Sequence, residues 1–521
     1  MNAATRAIFV AAALAACGPK STTTSIALPP PPPEKAAPVG EAQPAPPPPE
    51  APLPELKFPD NEAFRKTQPG PGAVKDFKAP PIQRYKLKNG VEVFHVERHE
   101  LPTVSADLVF EGGSVNDPPG KEGLATMCVA LMGEGTEKLD KIAYNEALAD
   151  LASSVNTYAA GDQQGVGMES LTKNLDATIA LWADTLLHPG MRADELERMR
   201  KRRLESLKQQ KGNVSGVAGR LTASIVHGDK HPYGRIPVED SIKAVKLDEC
   251  KKYLGDYFKP AGARLYVVGD ITKADVEKKL GGAMGAWKGA PKKTKAIPKP
   301  APRKGRVFFV DVPGSPQSAV ALVHVGPPRK AKDYFATSLM AAILGGGFAS
   351  RINMNIREEK GWAYGARGGF GYNRSWSVFN AGGSIVAEKT KDAVLEILKE
   401  IKGMRDAEAR DDEMEREKDG AILALPSLFQ TRQSVLGTYR SLLYFGLPLN
   451  YYDSYVKNVQ GLDKAAIKKA AMAHLESKDL RLFVVGDGKT VLPMLKDLVQ
   501  AKALGAGDLV VLDADGKVLP Q

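Results

Sequence analysis

Two stretches of this chain, ARLYVVGDITKADVEKKL at 263–280 and LRLFVVGDGKTVLPMLKDL at 480–498, are copies of one pattern. In each, an apolar run enters Gly-Asp and is followed by a helical pattern. The arginines that head the copies, Arg264 and Arg481, lie 217 positions apart. Solenoid and propeller repeats recur every ~20–50 residues, so a period this long signals a duplicated domain. The halves also open alike. NGVEVFHVERHELPTVSADLVF from Asn89 and GRVFFVDVPGSPQSAVALVHVG at 305–326 each read as two strands joined by a turn. Asn89-Gly90 is a strong hairpin signal, and the alternation in VEVFHV and VSADLVF predicts half-buried antiparallel strands. Helical patterns follow at 138–152, 171–188 and 192–211. Each half therefore predicts an α+β fold, an antiparallel or mixed sheet layered with helices, and the two halves are homologous domains.

At 521 residues, 43% of them hydrophobic, the chain is long enough for two such cores. Residues 1–17, MNAATRAIFVAAALAAC, read as an export signal: Arg6, a short apolar core, then Leu14-Ala15-Ala16-Cys17. That ending resembles a bacterial lipoprotein box, which implies lipidation of Cys17. No aspartate follows the cysteine, so the expected location is the periplasmic side of the outer membrane. Residues 18–81 hold half of the chain's 38 prolines. Such a tract cannot bury a core, and as polyproline II it would serve as a disordered tether reaching roughly 100–200 Å. The N-terminal domain is expected over 82–287, a Pro/Lys-rich linker over 288–304 and the C-terminal domain over 305–521. Beyond the first twenty residues no apolar run approaches the ~20 residues that span a bilayer, which leaves the lipid as the only membrane contact.

The formal net charge is +11. Nucleic acid is not the expected partner, because the lysines and arginines are scattered rather than gathered with stacking aromatics. Many lie in the linker KGAPKKTKAIPKPAPRKGR and along RMRKRRLESLKQQK at 198–211, which reads as a solvated helix face. Three cysteines, Cys17, Cys128 and Cys250, do not make a disulfide framework. Cys128 falls on the apolar face of a helix and reads as a small buried hydrophobe, with pairing to Cys250 left open.

That helix is GLATMCVALMGEGT, 123–136, whose Leu124, Met127, Cys128 and Leu131 share one face. Around it stand NGVEVFHVERHELPTVSADLVFEGGSVNDPPGKEGLA, HPYGR at 231–235, ILGGGFASRI at 343–352 and REEKGWAYG at 357–365. Together, in this order, they resemble the pitrilysin/insulinase metallopeptidases, which include the mitochondrial processing peptidase. The resemblance covers about 82–500. In that family an H-x-x-E-H motif on the first-half helix binds zinc through two histidines, and its glutamate activates the metal-bound water. Here the histidine positions hold Thr126 and Ala130, the glutamate position holds Val129, and the distal glutamate ligand falls at or beside Ser206, next to Glu205. Alanine and valine carry no donor atom, and a neutral threonine hydroxyl is a poor zinc ligand. The chain is therefore expected to hold no metal and to be inactive alone as a metallopeptidase.

No other cluster replaces the motif. His227 and His231, with Asp229 between them, lie in a Gly/Pro loop where i, i+4 spacing implies no common face. His95, His99, His188, His324 and His474 read as structural. GGGF lacks the Lys-Ser/Thr of a phosphate loop.

REEKGWAYG keeps Arg357 and Tyr364, seven apart, the first expected at a helix end and the second at a strand start. The resemblance implies an Arg/Tyr pair delivered by the second half to stabilise the oxyanion of an attacked peptide carbonyl. Gly345, Gly346 and Gly347 would let the chain pass close to substrate backbone. Some bacterial members of the family divide these parts between two chains. The resemblance therefore implies a non-catalytic subunit that closes over a zinc-bearing homologous partner, completes its site and encloses unstructured peptides. A periplasmic scaffold of the same fold is the alternative, and a peptidase with displaced ligands is a third reading.

Overall fold

The computed structural model describes residues 62, 64, 65, 67, 77–475 and 479–520. The signal segment, Cys17 and most of the proline-rich tract lie outside them. The chain divides into two units, Met1–Gly72 and Ala73–Gln521. Of the first, an ion pair between Arg65 and Glu62 is described. All other contacts considered lie within the second.

Among the described residues, twelve strands form two six-stranded sheets. The first contains β1 (Gln83–Lys86), β2 (Glu92–Glu97), β3 (Thr103–Glu111), β4 (Ser154–Ala160), β5 (Gln163–Leu171) and β6 (Arg264–Gly269), in the order β1-β2-β6-β3-β5-β4. The second contains β7 (Val307–Asp311), β8 (Gln317–Gly326), β9 (Ala363–Tyr372), β10 (Ser377–Val386), β11 (Arg481–Gly486) and β12 (Leu509–Leu512), in the order β12-β7-β11-β8-β10-β9. The duplicated pattern supplies β6 and β11. Each inserts between the two strands that open its half, parallel to one and antiparallel to the other. The opening strands are therefore not neighbours. The Asn89-Gly90 hairpin does form, between β1 and β2, with Gly90 at φ 90°. The outer edge strands differ: β1 precedes its sheet in sequence and runs antiparallel to β2, whereas β12 comes from the C-terminus and runs parallel to β7.

One face of each sheet carries that half's own helices. In the first half these include α1 (Leu124–Met132), α2 (Leu175–Leu187), α3 (Ala193–Lys211) and, beyond α4 (Val214–His227), α5 (Leu247–Tyr257). In the second they include α6 (Tyr334–Ala341), α7 (Thr390–Asp406), α8 (Asp411–Leu423) and, beyond α9 (Arg432–Tyr444), α10 (Lys464–His474) and α11 (Gly488–Gln500). The helical stretch Tyr334–Glu359 is long and apolar enough by composition to cross a bilayer. Its Leu339, Met340, Ile343, Leu344, Ile352 and Ile356 are instead buried in the second core.

The other faces are covered by exchange. Helix α4, from the first half, packs Val217, Leu221, Ile225 and Val226 onto Phe308, Val310, Val323, Phe483 and Val485 of the second sheet. Helix α9, from the second half, packs Val435, Tyr439 and Leu442 onto Phe94, Val96, Tyr266 and Val268 of the first. This exchange overturns the expectation of half-buried strands. The alternate residues of β3 do not face water: Ser105 and Asp107 are buried, and both meet arginines of α9. The folded body also reaches further back than residue 82. Phe77 packs on Phe429 with ring centroids 5.4 Å apart, and the Tyr439 hydroxyl donates to the Pro80 carbonyl.

The linker is strapped down rather than free. Ala301 N and Arg303 N donate to the carbonyls of His227 and Ile225, and Trp376 Nε1 donates to that of Pro298. The C-terminal turn clamps the first half in the same way: Asp515 takes ion pairs from Lys211 and Arg220 at 2.6 and 3.2 Å.

Candidate functional site

Helix α1 is held firmly at its N-terminus. The Asp117 carboxylate accepts from Gly123 N and Ala125 N, both at 2.8 Å, satisfying donors that a helix start leaves unpaired. Burial pushes this carboxyl up to about 7 against the opposing pull of those N–H groups. Cys128 on α1 and Cys250 on α5 are joined by a disulfide that closes a 122-residue separation. Cys128 is thus not a free buried hydrophobe, because the fold brings to it a partner that the sequence leaves undetermined.

The positions where the resemblance places zinc ligands are scattered in character. Thr126 is exposed, Val129 is buried and Ala130 is half-buried. Ser206, on α3, accepts from Gln210 Nε2 at 3.3 Å, and Glu205 beside it is exposed. Among the described residues no three His, Cys, Asp or Glu side chains stand close enough to hold a metal ion. With one hydroxyl and no imidazole, thiolate or carboxylate on α1, this donor set does not fit zinc.

The remaining histidines have local roles. His231 Nδ1 accepts from Tyr233 N and its Nε2 meets the Pro298 carbonyl at 3.0 Å, which uses both nitrogens. His227 is fully buried and stacks on His231 at 5.2 Å, with neither of its nitrogens hydrogen-bonded. His95 bonds the Ile271 carbonyl. His99 lies between Glu97 and Asp270, whose carboxylates raise its pKa. His188 lies 3.9 Å from Glu137, His474 pairs with Asp333 at 2.6 Å, and His324 is buried against Phe379.

The second half presents a different surface. Arg357 ends a helical stretch, Met354–Glu359, and Tyr364 opens β9, an edge strand. Their separation of seven residues, turned back through Gly361 at φ 67°, brings the guanidinium carbon to 5.1 Å from the Tyr364 ring centroid. The Phe348 ring centroid also lies near it, at 4.8 Å. Tyr364 is 89% exposed and Phe348 52%. Arg357 Nε also pairs with Glu358 at 3.1 Å. The result is a half-buried cation beside two exposed rings, an arrangement worth about 0.5–1 kcal/mol per ring at a wet surface. The sequence marked Arg357 and Tyr364 but missed Phe348, whose sole signal was a large aromatic following three glycines.

Those glycines divide. Gly345 is buried, and a Cβ there would lie 2.1 Å from Gly368 N, so its smallness serves contact between chain segments inside the protein. Gly346 is exposed, and Gly347 has open space where a side chain would be.

The first half, over residues 93–230, matches the model of insulinase (peptidase family M16), and residues 244–421 match that of the peptidase M16 inactive domain. The chain belongs to the insulinase family. Among its relatives, the non-peptidase homolog YmxG of Helicobacter pylori is 26% identical over 412 residues, 77% of this chain and 92% of that protein. The zinc protease PqqE of the same organism is 25% identical, over 62% of this chain and 75% of its own length. In fold, this insulinase-family chain is similar to a crystal structure of a peptidase M16 inactive domain from Pseudomonas fluorescens, with a TM-score of 0.72 and 24% identity, across 78% of this chain and 98% of that one. It is an inactive-type member: the family's two-sheet frame is present, and the residues at the zinc-motif positions carry no zinc chemistry.

Proposed function

We propose that this protein is the non-catalytic subunit of a heteromeric peptidase, supplying Arg357 and Tyr364 to the zinc site of a homologous partner and half of a chamber for unstructured peptides. The observation that carries this reading is Tyr364. A tyrosine 89% exposed, braced on an arginine, has nothing among the described residues to act upon. Attack on a peptide carbonyl leaves negative charge on its oxygen, and a guanidinium beside a phenol is a donor pair suited to it. That Helicobacter pylori has both a relative named non-peptidase and one named zinc protease supports a division of labour of this kind. We further propose an exported chain, lipidated at Cys17 and held at the periplasmic side of the outer membrane, with 18–81 as tether. The Cys128–Cys250 bridge supports an oxidising compartment.

The test mixes the full chain with a co-purifying homologue that carries H-x-x-E-H. Peptide hydrolysis is expected to rise on mixing, and to fall about 10²–10³-fold when Arg357→Ala or Tyr364→Phe is used instead, the range for loss of an oxyanion donor. Assembly should be unchanged in size-exclusion chromatography. Equal activity of the variants would refute the role of the pair. The ion pair between Arg357 and Glu358 favours the scaffold alternative, in which no mixture gains activity.

A further inference from the structure

The basic linker is not merely a solvated strand. Lys292 and Lys293 line a cavity of about 380 Å³ at the end of the first sheet, together with Lys259, Arg264, Phe110 and Tyr257. That volume lies within the range of about 300–1,000 Å³ typical of small-ligand sites. We propose that this cavity binds a phosphate group carried on an organic body.

Charge is the first argument. Four cations line the cavity against one carboxylate, Glu111. Glu111 is already engaged from outside by Arg374 at 3.0 Å, while Arg264 stands off at 3.9 Å. Lys292 reaches Asp256 only at 3.8 Å, and Lys252 already holds that carboxylate at 3.2 Å. Lys259 and Lys293 pair with no acid among the described residues. A site with this excess of cationic donors suits a phosphate, with its several acceptor oxygens, better than a single carboxylate.

Rigidity is the second. Lys292 N donates to the Asp256 carbonyl at 2.7 Å and Ala261 N to the Gly289 carbonyl at 3.2 Å, which fix the linker. The Lys259 stem lies against Gly289, where a Cβ would stand 3.3 Å from its Cδ. The aromatic lining is rigid as well. Phe110 packs on Phe258 at 4.5 Å and on Trp287 at 5.9 Å. Tyr257 keeps a hydroxyl without a described partner, and burial raises its pKa, so it remains a donor. Cations beside an apolar lining fit a phosphate with a carbon body behind it.

The proposal does not depend on the subunit reading. Its ligand is either a soluble phosphomonoester or the headgroup of a phospholipid, and two probes separate them. One is titration of the full chain with glycerol 3-phosphate by calorimetry. The other is co-sedimentation with phosphatidylglycerol vesicles against phosphatidylcholine vesicles. Saturable binding of at least one phosphate probe is expected, lost more than about tenfold in the double variant Lys259→Glu/Lys293→Glu. The control Lys288→Glu/Lys295→Glu alters the linker charge equally, outside the cavity, and should bind as the parent does. Thermal melts establish that both variants fold. Absence of binding by either probe, or equal loss in both variants, would overturn the proposal.

Discussion

Helices α4 and α9 perform the same task in opposite halves, yet the spaces beneath them differ. Under α9, on the first sheet, Arg440 reaches down to Asp107 at 2.6 Å, Tyr158 donates to the same carboxylate, and about 230 Å³ remains open. Under α4, on the second sheet, the floor is Gly365, Gly368, Gly369, Gly382 and Gly383, and the groove holds about 630 Å³. One architecture thus gives a bolted joint in the half without the zinc motif and an open groove in the half that carries Arg357 and Tyr364. Side chains, not topology, make the difference.

The exchange itself can be broken first, with the largest expected effect. Residues 77–287 expressed alone would expose Phe94, Val96, Tyr266 and Val268, and residues 305–520 alone would expose Phe308, Val310, Phe483 and Val485. Burying each such side chain is worth about 1.5–3 kcal/mol, so four of them lose about as much as the whole stability of a typical domain. Neither fragment should show a cooperative thermal transition, and mixing them should restore one. A fragment that melts cooperatively by itself would show the covering helix to be dispensable.

The disulfide sharpens the comparison within the first half, since no bridge ties α6 in the second. Closing a loop of this length is worth about 5 kcal/mol in the chain-entropy account. Cys128→Ala/Cys250→Ala should lower stability in denaturant by about that amount, and reduction of the parent should match it. A loss below about 1 kcal/mol would mean that the packing of α1 on α5 suffices without the bond.

Next is the bolt. Burial pushes the Asp107 carboxyl up, while Arg440 pulls it back down. Arg440→Ala would leave the acid buried and paired only with Tyr158. Removing one partner of a buried pair costs about 3–5 kcal/mol. The Arg440 side chain is 38% exposed, so solvent screening brings the expectation to about 2 kcal/mol. Asp107→Asn in the same background should recover part of the loss. If it deepens the loss instead, the charge is not what the arginine neutralises.

How much of this was legible follows from where each signal lies. The two-sheet frame was readable because the strand, Gly-Asp and helix recur within one contiguous segment, at Arg264 and again at Arg481. The placement of Arg357 beside Tyr364 was readable because a helix end, a turn and a strand start lie within eight residues. The exchange was not. It joins segments from about 80 to about 350 positions apart, and its polar members, Ser105 and Asp107, alternate along β3 in the pattern of a solvent-facing edge. The disulfide was hidden for the same reason: no spacing rule connects Cys128 to Cys250. The linker lysines looked solvated because their cavity forms only when Lys259 and Arg264 fold beside them.

The smallest effect concerns the last residues of the two exchanged helices. Helix α9 ends in Tyr444, which donates to Asp162 at 2.6 Å and accepts from Arg374 N at 2.9 Å. Helix α4 ends in His227, whose buried imidazole makes no hydrogen bond. Burial, with His231 stacked beside it, pushes the His227 imidazole down to about 4. In the unfolded chain it titrates near 6.5, so between about pH 6.5 and pH 4 the unfolded state binds the extra proton. Stability from this group is therefore complete above pH 6.5 and declines as the pH falls, by on the order of 2 kcal/mol at pH 4.5. His227→Phe keeps the ring and removes the titration. His95 and His324, also pushed down by burial, titrate in both proteins, so the difference isolates His227. Melting temperatures measured from pH 7.5 to 4.5 should converge on acidification, with the variant losing less. Parallel curves would mean that His227 is solvated or paired in solution, and that the α4 end is as well satisfied as the end of α9.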